Sequence, residues 1–153
     1  MENQLTLQKL LNHPIQKVWA AISEPKQMEK WWMVRSDFKA EPGYNYDLKS
    51  DGGQLTGTVL EVDPPHKLVY TFLSPKHHME AETTVIWTLE EQGNATLLTL
   101  VHKDFDKLRE SRQSVWEGVS KGWPKHLASL EEVLAAMDKQ EGTHVADNAY
   151  QNL

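Results

Sequence analysis

Apolar and polar positions follow two different periods along this chain, and the change of period divides it. Residues 3–11 (NQLTLQKLL) alternate, with Leu5, Leu7 and Lys9 against Gln4, Thr6 and Gln8, the two-residue period of a half-buried strand. Ile15, Val18, Trp19 and Ile22 then recur at helical spacing. Asn12 stands where a cap belongs, and Pro14 lies near the first turn, where a missing N–H is harmless. Ser23-Glu24-Pro25 ends that helix, and Pro25 suits the start of a second short one that closes on Trp31-Trp32. Alternation returns after Pro42-Gly43 with Tyr44, Tyr46 and Leu48, followed by a hairpin signal at Ser50-Asp51-Gly52-Gly53. Further strands are predicted over 54–63, 67–73, 82–90 and 95–103, divided by Pro64-Pro65, Ser74-Pro75 and Gln92-Gly93-Asn94. The segment KHHME reads as a loop or a strand start, and 104–113 as a charged loop or helical lead-in.

The last apolar segment, 114–139, organises the rest. Val119, Trp123, Leu127, Leu130, Leu134 and Met137 form one stripe on a helix, while Lys125, Glu131, Glu132 and Lys139 fall off it. At about 1.5 Å per residue it spans on the order of 39 Å, the width of a small domain. Pro124 predicts a kink or restart. The expected fold is α+β. About six antiparallel strands curl around the long C-terminal helix, two short helices follow the first strand, and a gap beneath those helices is where a cavity would sit. Residues 1–140 read as a single domain and 141–153, where periodicity is lost, as a mobile tail.

Composition narrows the function classes. The 153 residues are 39% hydrophobic and 25% charged, as in ordinary globular proteins, and no apolar run approaches the ~20 residues of a membrane span. The first residues carry an acid at position 2 and no continuous apolar run, so no secretory signal is read, and the cytoplasm is the expected location. Without cysteine there is no disulfide framework, thiol nucleophile or thiolate metal site. The formal charge is −6, and the basic residues, Arg35, Arg109 and Arg112 among them, are scattered among acids, which argues against nucleic acid. Six tryptophans suit a core and equally the wall of a ligand cavity.

These pieces together resemble a known family. They are Pro14-Ile15…Val18-Trp19-Ala20-Ala21-Ile22 with Pro25 and Trp31-Trp32, then Pro42-Gly43-Tyr44. The most diagnostic stretch is Gly57-Thr58-Val59-Leu60-Glu61-Val62-Asp63-Pro64-Pro65-His66-Lys67-Leu68. Thr84 to Leu89, Thr96 to His102, and Gly122-Trp123…Leu127…Leu130…Leu134 complete the set. In this order they resemble the helix-grip fold of START-like (birch-pollen-allergen-like, SRPBCC) proteins, in the branch homologous to the C-terminal domain of the activator of the heat-shock-protein-ninety ATPase. The resemblance implies a deep, largely apolar cavity between sheet and terminal helix that holds lipids, polyketides or other aromatic small molecules. Activation of the chaperone ATPase belongs to a larger eukaryotic protein with a further N-terminal domain.

Catalytic signatures are not found. His78, Glu80 and Glu82 would share a strand face as ligands for zinc or manganese, but match no fixed spacing and read more simply as a polar edge. Glu61 with Asp63 and His102 with Asp104 are candidate acid/base pairs, each also readable as surface polarity. The expected ligand-binding set is Trp31, Trp32, Tyr46, Leu48, Leu55, Tyr70, Phe72, Val85, Trp87, Trp116, Val119, Trp123 and Leu127, with core packing as the plainer role of each. No catalytic residue, metal or cofactor is assigned. The expected function is binding of a small lipophilic ligand without catalysis. The rivals are a polyketide cyclase or aromatase-type enzyme, marked by two or more ionisable groups in the cavity, and a chaperone partner in a stress response.

Overall fold

The computed structural model describes residues 3–151, with side chains described as far as Met137. Strand β1 (Gln4–Leu11) leads into helices α1 (Ile15–Ser23) and α2 (Pro25–Trp31). Six strands follow: β2 (Arg35–Asp37), β3 (Asn45–Ser50), β4 (Gly53–Asp63), β5 (Lys67–Phe72), β6 (Thr83–Gln92) and β7 (Ala95–Lys103). Helix α3 (Arg112–Gln151) ends the chain's described course. The strands form one antiparallel sheet in the order β1-β7-β6-β5-β4-β3-β2, so the chain meanders and β1 returns to pair with the last strand. This is the helix-grip arrangement of an α+β domain.

The two periods of the sequence become the two faces of these elements. Along β7 every second residue is buried (Thr96, Leu98, Leu100, His102), as alternation requires when one face of a sheet is covered. Trp123, Leu127, Leu130 and Leu134 of α3 are buried against that face, and Val119 is half-buried beside them. Helix α1 adds Ile15, Val18, Ala21 and Ile22, and α2 adds Met28 and Trp31. At about 25 cal/mol per Å² of apolar surface removed from water, this shared core is what holds helix to sheet.

The sheet bends along β4. Its first half pairs with β3 and its second with β5, and a bulge between Val59 and Glu61 leaves Leu60 half in solvent. Gly57 sits at the bend because nothing larger fits: a Cβ there would lie 2.1 Å from the Thr71 carbonyl oxygen and 2.8 Å from the Tyr46 ring. The Tyr46 hydroxyl donates to that same Thr71 oxygen at 2.6 Å, and Thr71 Oγ1 accepts the Thr58 N–H at 2.8 Å.

The structure departs from several sequence expectations. Strand β2, three residues long, carries no periodic signal and was not predicted. Asn12 does not cap α1: Pro14 occupies the N-cap position, with no side-chain cap bond. Helix α3 begins at Arg112 rather than Ser114 and runs through Pro124 as one helix, so the chain does not restart there. Pro124 is exposed on the outer side, where the displaced carbonyl can turn to water. The KHHME segment holds the end of a 3₁₀ turn, Pro75–His77, rather than a strand start. The mobile tail expected over 141–153 lies outside the residues whose side chains are described.

Candidate functional site

A cavity of about 290 Å³ opens where the β3–β4 hairpin, the 3₁₀ turn after β5 and the first half of α3 converge. Its inner wall is buried and apolar: Met33, Leu55, Phe72, Val115 and Trp123. Trp32 and Val119, both half-buried, close the sides. Its mouth is exposed and polar, made by Ser50, Gly52 and Gln54 of the hairpin and by Lys76 and His77 of the 3₁₀ turn. The space exists because α3 carries no side chain at Gly118 or Gly122, one turn apart on the lining face. A Cβ at Gly118 would meet only His77 Nε2, at 3.7 Å, and one at Gly122 only the His126 ring, from 3.6 Å. Two glycines inside a helix weaken it, by roughly 0.5–1 kcal/mol each relative to alanine. Here they leave a gap that helix propensity alone would have filled.

Five of the expected site residues line this space: Trp32, Leu55, Phe72, Val119 and Trp123. Tyr46, Leu48, Tyr70, Val85, Trp87, Leu127 and Trp31 lie instead in the packed core, and Trp116 packs edge-on against Phe105 in a second cluster with Leu108 and Val115. The polar tips of the aromatic members find partners within that core. Trp87 Nε1 donates to the Tyr70 hydroxyl at 3.0 Å, Trp31 Nε1 to the Ala21 carbonyl at 2.7 Å, and the Tyr46, Tyr70 and Phe38 rings stack edge-on or tilted at 5.3 to 6.2 Å. Burial holds both tyrosine hydroxyls protonated, their pKa values pushed well up.

Beneath Trp123 lies a polar group that the sequence placed at the surface. His102 is buried rather than exposed. Trp123 Nε1 donates to His102 Nδ1 at 3.0 Å, and His102 Nε2 lies 2.7 Å from Thr83 Oγ1. An indole N–H only donates, so Nδ1 must accept and Nε2 carries the proton, which goes to Thr83. Thr83 in turn donates to the Phe72 carbonyl at 3.3 Å. This chain crosses α3, β7, β6 and β5, and two of its members, Trp123 and Phe72, wall the cavity. Burial outweighs the nearby Asp104 carboxylate and lowers the His102 pKa to about 3, so the ring is neutral. Asp104 is occupied by the Thr84 hydroxyl at 2.6 Å and does not orient His102.

The other candidate groups also have structural partners. Glu80 accepts the Ser111 N–H at 3.2 Å and the Ser111 hydroxyl, fixing the loop to the start of α3, and these bonds hold its carboxyl down near a pKa of about 2. Glu82 accepts from Thr71 Oγ1 at 2.7 Å, and Glu61 pairs with Lys67 at 2.9 Å. Neither Glu61 nor His102 lines the cavity, but Lys76, His77 and His126 do. Sequence reading did not assign these three to the site, since a lone His or Lys carries no periodic signal. The His126 ring lies 5.9 Å from Trp32 and 5.8 Å from Trp123, and its burial and the neighbouring Lys125 hold its pKa below the ordinary value.

The sequence model of the activator of Hsp90 ATPase homolog 1-like proteins matches residues 12–135. No curated protein matches the sequence. A protein of Mesorhizobium loti has a similar structure, with a TM-score of 0.76 and 27% identity over 87% of this chain and 97% of its own. DynU16, a putative protein in the dynemicin biosynthetic locus, superposes at a TM-score of 0.75 with 20% identity, covering 88% of this chain and 48% of its own. CalU16 of Micromonospora echinospora does so at 0.66 with 22% identity over 86% and 73%. At identities this low, the last two attest the fold alone.

Proposed function

The chain belongs to the activator of Hsp90 ATPase homolog 1-like family, and we propose that it binds a small lipophilic, aromatic ligand in the α3 cavity without transforming it. The observation that carries this reading is the cavity's construction. Buried aromatic and aliphatic walls surround space kept open by glycines on a helix, at a small loss of helix stability. Its size, near the lower end for ligand pockets, suits roughly two or three fused rings rather than a long acyl chain. Trp32 and Trp123 supply faces on which such rings stack.

The test is a titration followed by the indole N–H signals, using a panel of aromatics, flavonoids, sterols and fatty acids. Compact aromatics are expected to shift Trp123 and Trp32 saturably in the wild type and not in Gly118→Leu, whose side chain intrudes on the cavity. A flat response across the panel would remove the reading and bring the chaperone partner forward.

A second reading rests on Lys76, His77 and His126, ionisable groups that a cyclase-type enzyme would use to move protons in a bound chain. Product formation during the same titration, lost in His77→Gln or His126→Gln, would establish it.

A further inference from the structure

The charges around the cavity are sorted. Acids outnumber Lys and Arg in this chain by 22 to 16, yet among the described residues no Asp or Glu lines the cavity, while Lys76, His77 and His126 do. Lys76 forms no ion pair among the described residues. Its ammonium donates to the Gly52 carbonyl at 2.9 Å, and the side chain lies over the Gly52-Gly53 turn, where a Cβ on either glycine would come within 3.8 to 4.0 Å of it. One of three ammonium protons is thereby used and the stem is held at the mouth. His77 is oriented as well: its Nδ1 lies 2.9 Å from Ser74 Oγ, which leaves Nε2 directed toward Gly118 across the opening. A positioned cation and an oriented imidazole thus stand at one end of an apolar chamber.

We propose that the cavity is specific for an aromatic carboxylate, whose ring system lies between Trp32, Phe72 and Trp123 and whose carboxylate meets the Lys76 ammonium and His77 Nε2 at the mouth. This rests on the cavity reading above and adds the ligand's charge. An anion compensates a cation that has no ion-pair partner among the described residues and stands beside low-dielectric walls, where its attraction exceeds that of an open surface pair. A carboxylate fits better than a phosphate ester. A phosphate calls for several donors, and none of the arginines lines the space.

The experiment compares 2-naphthoate with 2-naphthamide, equal in shape but uncharged, by calorimetry on the full chain. Wild type is expected to bind the naphthoate about tenfold or more tightly than the amide, a preference that weakens as salt is raised. Lys76→Met should reduce the preference to within about twofold by weakening the naphthoate far more than the amide. Equal affinities in wild type, or a Lys76→Met variant that weakens both ligands alike, would overturn the anion specificity. If both ligands bind equally and both are lost in Gly118→Leu, the cavity reading survives without it. If neither binds, or if Gly118→Leu binds both as well as wild type, the cavity reading falls and the inference with it.

Discussion

Trp123 donates its indole N–H to His102 Nδ1 at 3.0 Å, so a tryptophan of the cavity wall is fixed by a histidine that does not itself line the cavity. Each partner needs the other. The indole would otherwise bury an unsatisfied donor, and the imidazole an unsatisfied acceptor, while ring contacts with Phe72 at 4.5 Å and Phe105 at 4.7 Å hold the imidazole in its slot.

Trp123→Phe therefore leaves His102 Nδ1 without a donor in a dry site. The expected loss is about 1–3 kcal/mol for the orphaned acceptor. A double-mutant cycle with His102→Leu in urea denaturation should show coupling of about 1 kcal/mol or more between the two positions. Strictly additive losses would mean that the bond is incidental.

Acid should act through the same histidine. Its folded pKa, about 3, lies below the unfolded value of about 6.5, so the unfolded chain binds the extra proton first. The sign follows: the contribution of neutral His102 is whole above pH about 6.5 and is lost as pH falls toward 3, at up to about 1.4 kcal/mol per unit. Glu80, with its pKa depressed, adds to the acid loss only from about pH 4.5 downward. Stability measured between pH 6.5 and 5 should thus fall less steeply in His102→Gln than in wild type. Parallel curves would place the titrating group elsewhere.

Glycines at two places should respond oppositely to alanine. At Gly57 the added Cβ meets backbone, the Thr71 carbonyl at 2.1 Å, and β4 and β5 must separate. A loss of several kcal/mol, roughly 3 or more, or failure to fold is expected from such overpacking. At Gly118 the nearest atom is the end of a side chain at 3.7 Å, so alanine should raise stability by roughly 0.5–1 kcal/mol. Thermal melts of the two variants decide both. Destabilisation by Gly118→Ala would show that the helix needs the glycine for some reason other than space.

The start of α3 depends on a loop contact. Glu80→Gln keeps the shape of the acceptor but removes the negative charge that the Ser111 N–H and hydroxyl hold at the helix N-terminus. Amide exchange over residues 111–115 should quicken relative to wild type, with the β6–β7 hairpin unchanged. Unaltered exchange at 111–115 would mean that the helix start is fixed by Phe105, Leu108 and Val115 alone.

How far the sequence alone reached can be seen in particular residues. Alternation identified the long strands, and the four- and three-residue steps from Trp123 to Leu134 identified the helix face, because burial against a sheet imposes these periods locally. Turn chemistry placed the β3–β4 and β6–β7 hairpins at Ser50-Asp51-Gly52-Gly53 and Gln92-Gly93-Asn94, and Gly93 takes a positive φ that other residues avoid. Tertiary contact alone decided the rest. His102 looked like surface polarity until Trp123 and Thr83, distant in sequence, supplied one donor and one acceptor. Tyr46, Tyr70 and Trp87 were equally apolar candidates for the cavity, and only their mutual packing put them in the core. Gly118 and Gly122 carry no pattern in a helix, yet their missing side chains make the chamber. A sequence records which residues turn inward; where inward-facing residues fail to meet is a property of the assembled elements.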